Sequence, residues 1–355
     1  MQINPFKTFL LSLFLCVSFF GYASDKEKDI DEPFDTKELI FHHINDSHSF
    51  HIVGDLSMSL PVILWTDNGL VTFMSGEFHH DVEGKTIVEK KGMKFVNLHD
   101  KIYQLNNGES AVAFNTQHQV TNTVKPLDIS ITKNVFSMFL SMAVILLIFL
   151  TAARSYKKSK NGLPTGIGKF VEPIILFIRD EVAIPNIGEK KYHKYMPYLL
   201  TLFFFIWLNN IFGLIPVFPF SSNLSGNIAF TVTLALITFI ITLFSSKKHY
   251  WKHMLWMPGL PVPMKLFLAP IEFVGMFIKP IALTIRLFAN ITAGHIIVLS
   301  LVSLTFIFKN YVVGGVSVVF VVFISVIEVL VVAIQAYIFT LLSALYFGQA
   351  LEEEH

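Results

Sequence analysis

The sequence places an arginine inside one of its longest apolar segments. Arg286 lies in the run Ile281-Ala-Leu-Thr-Ile-Arg-Leu-Phe-Ala-Asn-Ile-Thr-Ala-Gly-His295. An arginine at the centre of a membrane helix costs about 2.5–3.5 kcal/mol on insertion scales, and its guanidinium does not usefully lose its proton. We therefore expect Arg286 to face a water-filled cavity, a carboxylate partner, or both.

Helical spacing sorts the polar neighbours of Arg286 by direction. At about 100° per residue, Asn290 lies one turn further on and on nearly the same face. Glu272, fourteen residues earlier, returns to that face if the helix is continuous, although Pro280 lies between them and prolines interrupt helices. His295 is nine residues beyond Arg286 and therefore faces the opposite way.

The last apolar segment has a polar stripe of its own. Glu328 and Gln335 are seven residues apart and Tyr346 is eleven further on, so the three return to nearly the same helical face. A carboxylate, an amide and a phenol thus line one side of a helix otherwise rich in Val, Ile, Leu and Phe. The alternative for each is an ordinary interhelical hydrogen bond, which fits Tyr346 best and Glu328 least.

These residues together predict proton chemistry. A fixed positive charge favours the ionised form of a carboxylic acid that passes it, and so drives release of a proton. Glu328 and His295 can each take up and release protons. Phosphate chemistry is not predicted, because the loop-like stretch 162–170 has the wrong glycine spacing and Phe170 where Ser or Thr would hold magnesium.

The composition is that of a membrane protein. Of 355 residues, 53% are hydrophobic and 15% charged, and the net charge of +1 gives no argument for nucleic acid as a partner. The last apolar runs exceed the roughly 20 residues of one perpendicular span, so they must tilt strongly, bend or form hairpins. Five runs predict an all-α polytopic membrane domain over 133–350: 135–153, 197–219, 228–244, 266–308 and 311–347.

The N-terminal part is predicted to be exported and β-rich. Lys7 and the apolar run Thr8–Phe20 predict a signal peptide over residues 1–24, with a retained first helix as the alternative. Its Cys16 is the one cysteine of the chain, which excludes a disulfide framework or cysteine-based zinc site after cleavage. Residues 25–132 alternate short apolar runs with turn signals, which predicts a small β-rich domain. The turn signals are Asp67-Asn68-Gly69, Glu83-Gly84 and Asn106-Asn107-Gly108.

The same region holds eight of the thirteen histidines, among them His42, His48 and His51. These three fit no fixed ligand spacing, so ordinary surface and strand histidines are favoured over a metal site. Neither a metal nor a cofactor is predicted.

The positions of Lys and Arg predict the orientation in the membrane. The loops over 154–195 and 247–265 are rich in basic residues, whereas 219–227 and 308–311 contain Lys309 alone. The positive-inside rule places the basic loops in the cytoplasm. The β-rich domain then lies outside and the tail over 351–355 inside, which agrees with the signal peptide.

Within the first basic loop, residues 170–184 mix apolar side chains with charged ones. This pattern predicts an amphipathic helix on the cytoplasmic membrane surface, with a solvated linker helix as the alternative.

The order of these motifs resembles a known family. The stretch from Arg286 through Asn290 and Gly294 to His295 is similar to the signature of the subunit a family of F-type ATP synthases. The N-terminal domain resembles the extended form found in Bacteroidetes-type sequences. The similarity covers about 133–350 and includes Asn209–Pro216, Pro270–Glu272, Lys279-Pro280, Glu328, Gln335–Phe339 and Tyr346.

The resemblance implies a proton-conducting subunit of the bacterial inner membrane that is not an enzyme on its own. Its partners would be the ring of c subunits, the subunit b stator, the lipid bilayer and, through the complex, the F1 ATPase sector. Arg286 would be the essential charge that faces the ring, between two offset half-channels. The proton path would include Glu272, Asn290, His295, Glu328, Gln335 and Tyr346.

Some members of that family hold Glu and His in place of His295 and Glu328, so the two positions are expected to be adjacent. Protons are preferred over sodium because both residues titrate. Two other classes of membrane protein are the alternatives. A secondary transporter predicts paired repeats, which the sequence lacks, and a membrane-anchored binding protein leaves Arg286 unexplained.

Overall fold

The computed structural model describes residues 46–53, 56–106, 108–109, 111–114, 120–158, 165–215, 219–220, 222–256 and 261–352. The predicted signal peptide over 1–24 and His42 lie outside these ranges. The chain divides into a β-rich unit, which includes Ser47–Lys133, and a helical unit, which includes Asn134–Pro216 and the residues from Phe220 onward.

In the β-rich unit the described residues form three antiparallel sheets. The sheets are β1-β2, β4-β3-β9 and β5-β6-β7-β8. Asp67 and Asn68 join β3 to β4 as a two-residue hairpin, as the sequence predicts. The strands are β1 Ser49–Val53, β2 Leu56–Ser59, β3 Pro61–Thr66, β4 Gly69–Met74, β5 Glu83–Lys90, β6 Met93–Leu98, β7 Lys101–Leu105, β8 Thr123–Val124 and β9 Leu127–Asp128.

One predicted turn is wrong. Glu83 and Gly84 open strand β5 instead of separating two strands. The pairing of β5 with β6 shifts register between Glu83 and Ile87, and Gly84 has a φ of +77°. Such a bulge uses a glycine for the same reason that a turn does, because residues with a β-carbon rarely adopt positive φ.

Alternating strand residues build the core of this unit. Val62 and Leu64 of β3 and Val71 and Phe73 of β4 point inward and pack with Phe95 of β6. A buried His48 reaches across to the last strand, where its Nε2 lies 2.9 Å from Oδ2 of Asp128. The first described residues are thereby tied to the strand that precedes the first membrane helix.

We expect Asp128→Asn to destabilise the β-rich unit by about 1.5–3 kcal/mol, the range for a hydrogen bond to a charged group. Burial alone would raise the pKa of Asp128, but hydrogen bonds from His48 and Ser130 lower it below the ordinary 3.8. The ionised carboxylate therefore stabilises the fold above pH 3.8, and this contribution is lost as pH falls through the lower folded value. Limited proteolysis of the full chain in vesicles measures the effect, with exposed Asp67→Asn as control. Equal protection of both variants from proteolysis at pH 7 contradicts the expected destabilisation.

The fold class is confirmed in the helical unit, where the described residues include five helices long and apolar enough to cross a membrane. The helices are α1 Lys133–Lys158, α2 Ile167–Phe177, α3 Ile184–Ile187, α4 Tyr192–Leu214, α5 Ile228–Ser245, α6 Lys248–Leu255, α7 Val262–Phe308 and α8 Tyr311–Leu351, and a π-helical segment, Ile178–Ala183, joins α2 to α3. The five that could cross a membrane are α1, α4, α5, α7 and α8.

Helices α7 and α8 pack along each other as a long hairpin and also contact α4 and α5. At 1.5 Å per residue, the 47 residues of α7 extend about 70 Å, more than twice the roughly 30 Å of a bilayer core. Both helices must therefore tilt strongly in a membrane. Near the end of α8, Gly348 lies against the carbonyl oxygen of Asn186, where a β-carbon would clash.

The segment over 167–187 is helical, as predicted, and has a buried stripe. Val171, Ile178, Val182 and Ile187 are buried and belong to the main helical core. The charged residues Arg179 and Asp180 pair with each other on the exposed side. This face pattern fits an amphipathic helix at a surface, and its place on the cytoplasmic side stays a prediction.

The orientation also stays a prediction and has a direct test. In a chain with Cys16 replaced by serine, we expect a membrane-impermeant maleimide to label Lys101→Cys in intact cells. Lys190→Cys, in the basic loop, should react only after permeabilisation. Both positions are exposed. The reverse pattern overturns the orientation.

Candidate functional site

Helix α7 carries Arg286 beside its buried face. Leu283, Leu287 and Ile291 recur every four residues and pack into the helical core, which fixes the rotation of the helix. Arg286 is exposed next to this buried stripe, close to the exposed apolar Ile285. Within the described part of the chain no carboxylate forms an ion pair with it. A permanent charge therefore lies on an apolar surface without an acidic partner among the described residues.

Four polar residues line one side of α7. The helix continues through Pro270 and Pro280, so spacings of seven, seven and four residues bring Glu272, Lys279, Arg286 and Asn290 to nearly the same direction. We call these four residues the α7 polar stripe. The alignment expected of Glu272, Arg286 and Asn290 is present. Lys279 belongs to the same stripe, although the sequence reasoning did not place it on the proton path.

The carboxyl group of Glu328 is buried against α7. A β-carbon on Gly294 would lie 2.5 Å from its Oε1, so the absence of a side chain at Gly294 makes room for this acid. Oε1 has no hydrogen-bond partner among the described residues, and neither does the buried hydroxyl of Thr292. A buried carboxylate is stable only with a proton, a cation or water beside it. Glu328 thus lies against Gly294, the residue that precedes His295. The side chain of His295 is half-buried.

Gln335 and Tyr346, which were predicted to share a face of α8 with Glu328, have different surroundings. Gln335 is buried two turns beyond Glu328, beside the core residues Val332 and Ala336. Tyr346 is half-buried and lies within electrostatic range of Arg286.

A polar cavity opens where α6, α7 and the end of α8 meet. Lys279 Nζ donates a 2.9 Å hydrogen bond to Gln349 Oε1 and lies 5.3 Å from the ring centre of Tyr346. Burial, and then the charge of Glu272, raises the pKa of Tyr250, so this phenol keeps its proton at neutral pH. The cavity has a volume of about 250 Å³, and its polar lining consists of His249, Tyr250, Glu272, Lys279, Gln349 and Glu352.

A second, smaller cavity adjoins the first between α5, α7 and the end of α8. It shares Tyr250, Met276, Lys279 and Gln349 with the larger cavity and reaches Tyr346. Its volume of about 20 Å³ suffices for one water molecule. Water can therefore approach the middle of α7 from the end where α5 and α8 finish.

Polar groups also line the opposite end of the helical unit. The short 3₁₀ turn Leu224–Gly226 packs against α7, α4 and α5. Ser222 Oγ donates a 2.6 Å hydrogen bond to Asn134 Oδ1 at the start of α1. Several of the buried polar atoms that have no hydrogen-bond partner in the described chain lie at this end, namely those of Ser137, Asn210, Asn223, Ser225 and Thr292. Buried polar groups of this kind usually bind water.

Asn210 was expected only by resemblance, and Gln349, Ser222 and Ser225 were not predicted from the sequence. The seven-residue spacing from Glu272 to Lys279 was available as a signal for Lys279. Gln349 and Lys279 form a hydrogen bond although 70 residues separate them in the sequence. A local sequence pattern does not predict such a pair. Ser222 and Ser225 lie in a short connection without periodicity. Among the described residues, no group of three or more His, Cys, Asp or Glu side chains could hold a metal ion.

Two family models match this chain. Residues 135–348 match the family described as ATP synthase A chain, and residues 39–129 match a family described as a domain of unknown function. ATP synthase subunit a of Chloroherpeton thalassium is 44% identical over 247 residues, which are 68% of this chain and 72% of that protein. ATP synthase subunit a 2 of Chlorobaculum tepidum is 46% identical over 234 residues, 64% of this chain and 65% of that protein. This chain, which carries Arg286 on α7 and Glu328 against Gly294, therefore belongs to the ATP synthase A chain family.

Proposed function

We propose that this chain is the proton-translocating subunit of the membrane Fo sector of an ATP synthase. The observation that carries the proposal is Arg286, a permanent cation exposed on the apolar surface of α7. Such a charge requires an anionic partner or water in a bilayer. The described part of the chain supplies no acid to it, so the partner is a carboxylate of another subunit, as in a ring of c subunits.

The charge of Arg286 drives the proton exchange. A ring carboxylic acid that arrives beside the guanidinium is stabilised in its ionised form and releases its proton. When the carboxylate leaves, it enters an apolar surrounding and takes up a proton. Each elementary charge that crosses the membrane field supplies about 2.3 kcal/mol per 100 mV, which the ring converts into rotation.

Two water-accessible regions on opposite ends of the helical unit serve as the half-channels. One is the cavity around Glu272, Lys279 and Gln349, which continues to Tyr346. The other follows the unpartnered polar atoms from Ser137 and Ser225 to Thr292 and Glu328. Along α7, Arg286 lies between Lys279 and Thr292, so its charge repels protons that would pass directly from one region to the other. Catalysis of ATP synthesis belongs to the soluble sector.

Purification of the tagged full chain from its native membrane tests the proposal. We expect a ring of small membrane subunits and a soluble ATPase to co-purify, and the complex in vesicles to pump protons when ATP is added. Isolation of the chain without these subunits, under conditions that keep a control membrane complex intact, contradicts the function.

A further inference from the structure

The β-rich unit exposes a row of large apolar side chains on the outer side of the sheet β4-β3-β9. Trp65 pairs with Leu70 of β4 on one side and with Leu127 of β9 on the other. Because residues directly opposite each other point to the same face, the three side chains form one row. Their exposed fractions are 57%, 45% and 64%.

The row belongs to a larger surface, which we call the outer sheet face. Met74 and Ile129 are exposed as well and extend it, and with the row they make five residues: Trp65, Leu70, Met74, Leu127 and Ile129. The inner residues of strands β3 and β4 are buried in the core, so packing within the unit does not require the outer ones; these inner residues are Val62, Leu64, Val71 and Phe73. A contiguous apolar surface of this kind marks an interaction site.

The chain connection limits what can cover this face. Strand β9 ends at Asp128 and α1 begins at Lys133, a distance of at most about 17 Å for an extended chain. The connection has little slack, because it is hydrogen-bonded to the β-rich unit at every second residue. The amides of Ile129, Ile131 and Lys133 donate to the carbonyls of Ile63, Pro61 and Ser47 at 2.9, 3.1 and 2.9 Å. The sheet that carries the outer face therefore leads directly into a membrane-spanning helix.

We propose that the outer sheet face rests on the lipid headgroup layer at the membrane surface where α1 enters. Tryptophan is enriched at this depth because its ring is apolar and its indole N–H can reach water or a headgroup. The rim of the face supplies cations for lipid phosphates. Lys91 Nζ donates to the carbonyl of Leu70, and Lys125 precedes Leu127 by two residues. This contact is separate from proton translocation and does not rest on it.

Spin-label accessibility tests the proposal in the full chain. Cys16 is replaced by serine, and a nitroxide is placed at Leu70→Cys, Leu127→Cys or, as the control, Lys85→Cys on the exposed side of β5. Each protein is reconstituted into phosphatidylethanolamine and phosphatidylglycerol vesicles, both alone and within the purified complex. Collisions of the label are measured with oxygen, which concentrates in lipid, and with a polar nickel chelate, which stays in water.

We expect the ratio of oxygen to nickel collisions at Leu70→Cys and Leu127→Cys to exceed the ratio at Lys85→Cys several-fold, in the isolated chain and in the complex alike. Equal ratios at the three positions in both preparations overturn the proposal. Protection from both reagents that occurs only in the complex also overturns it, and assigns the face to another protein. The three positions are exposed, so the labels do not disturb the core.

Discussion

Arg286→Ala is expected to assemble with its partner subunits and to lose proton-driven ATP synthesis. The residue is exposed on α7, and the buried stripe of Leu283, Leu287 and Ile291 does not depend on it. Loss of the charge removes the force that ionises a ring carboxylic acid and the barrier between the two water-accessible regions. We expect a fall of at least about a hundredfold, which corresponds to about 2.7 kcal/mol in an activation barrier, measured as ATP synthesis in vesicles under an imposed proton gradient.

Arg286→Lys is expected to fail largely as well. An ammonium group can lose its proton in a low-dielectric surrounding, and it lacks the planar fork that binds a carboxylate with two hydrogen bonds. The matched control is Lys265→Ala, which removes a cation from the beginning of the same helix and leaves the α7 polar stripe intact. Wild-type synthesis in Arg286→Ala would exclude the proposed role. Equal losses in Lys265→Ala would show that net charge on α7, rather than this position, matters.

Helical periodicity allowed part of the site to be predicted from sequence. We infer that Glu272, Arg286 and Asn290 share a side of α7 because the helix runs unbroken through Pro270 and Pro280. Thr284 contributes a hydrogen bond from its hydroxyl to the carbonyl of Pro280 at 2.9 Å, within the same turn. Contacts between helices were beyond such reasoning. The register of α7 against α8, which brings Lys279 to Gln349, is set by packing along the whole hairpin.

The β-rich unit shows the same limit on a smaller scale. Gly69 and Gly84 have φ angles of +92° and +77°, a backbone conformation that glycine adopts readily in turns and bulges alike. Gly69 ends a hairpin turn and Gly84 belongs to a bulge. The difference between the two glycines lies in how the neighbouring strand pairs with each segment. A short window of sequence does not contain that information.

The second large effect is expected where Glu328 meets α7. We expect Glu328→Ala and His295→Ala to slow proton flux about tenfold, which corresponds to about 1.4 kcal/mol, while assembly is retained, because each serves a hydrated path rather than the core. If the two residues act as an adjacent pair, the double variant His295→Glu with Glu328→His should recover flux. Normal conduction in the double alanine variant would remove both residues from the mechanism.

Gly294 offers a sharper probe of the same contact. Gly294→Ala places a methyl group where Glu328 Oε1 now lies, so we expect the carboxyl group to be displaced and proton flux to fall. Gly275→Ala is the matched control on the same helix, since a β-carbon there meets no atom within 4 Å and alanine favours the helix by about 1 kcal/mol. Shortening the acid should restore the fit, so Glu328→Asp is expected to rescue Gly294→Ala. Flux is measured as passive proton conduction through the membrane sector after removal of the soluble ATPase. Unchanged conduction in Gly294→Ala would mean that the position of the Glu328 carboxyl against α7 does not matter to the proton path.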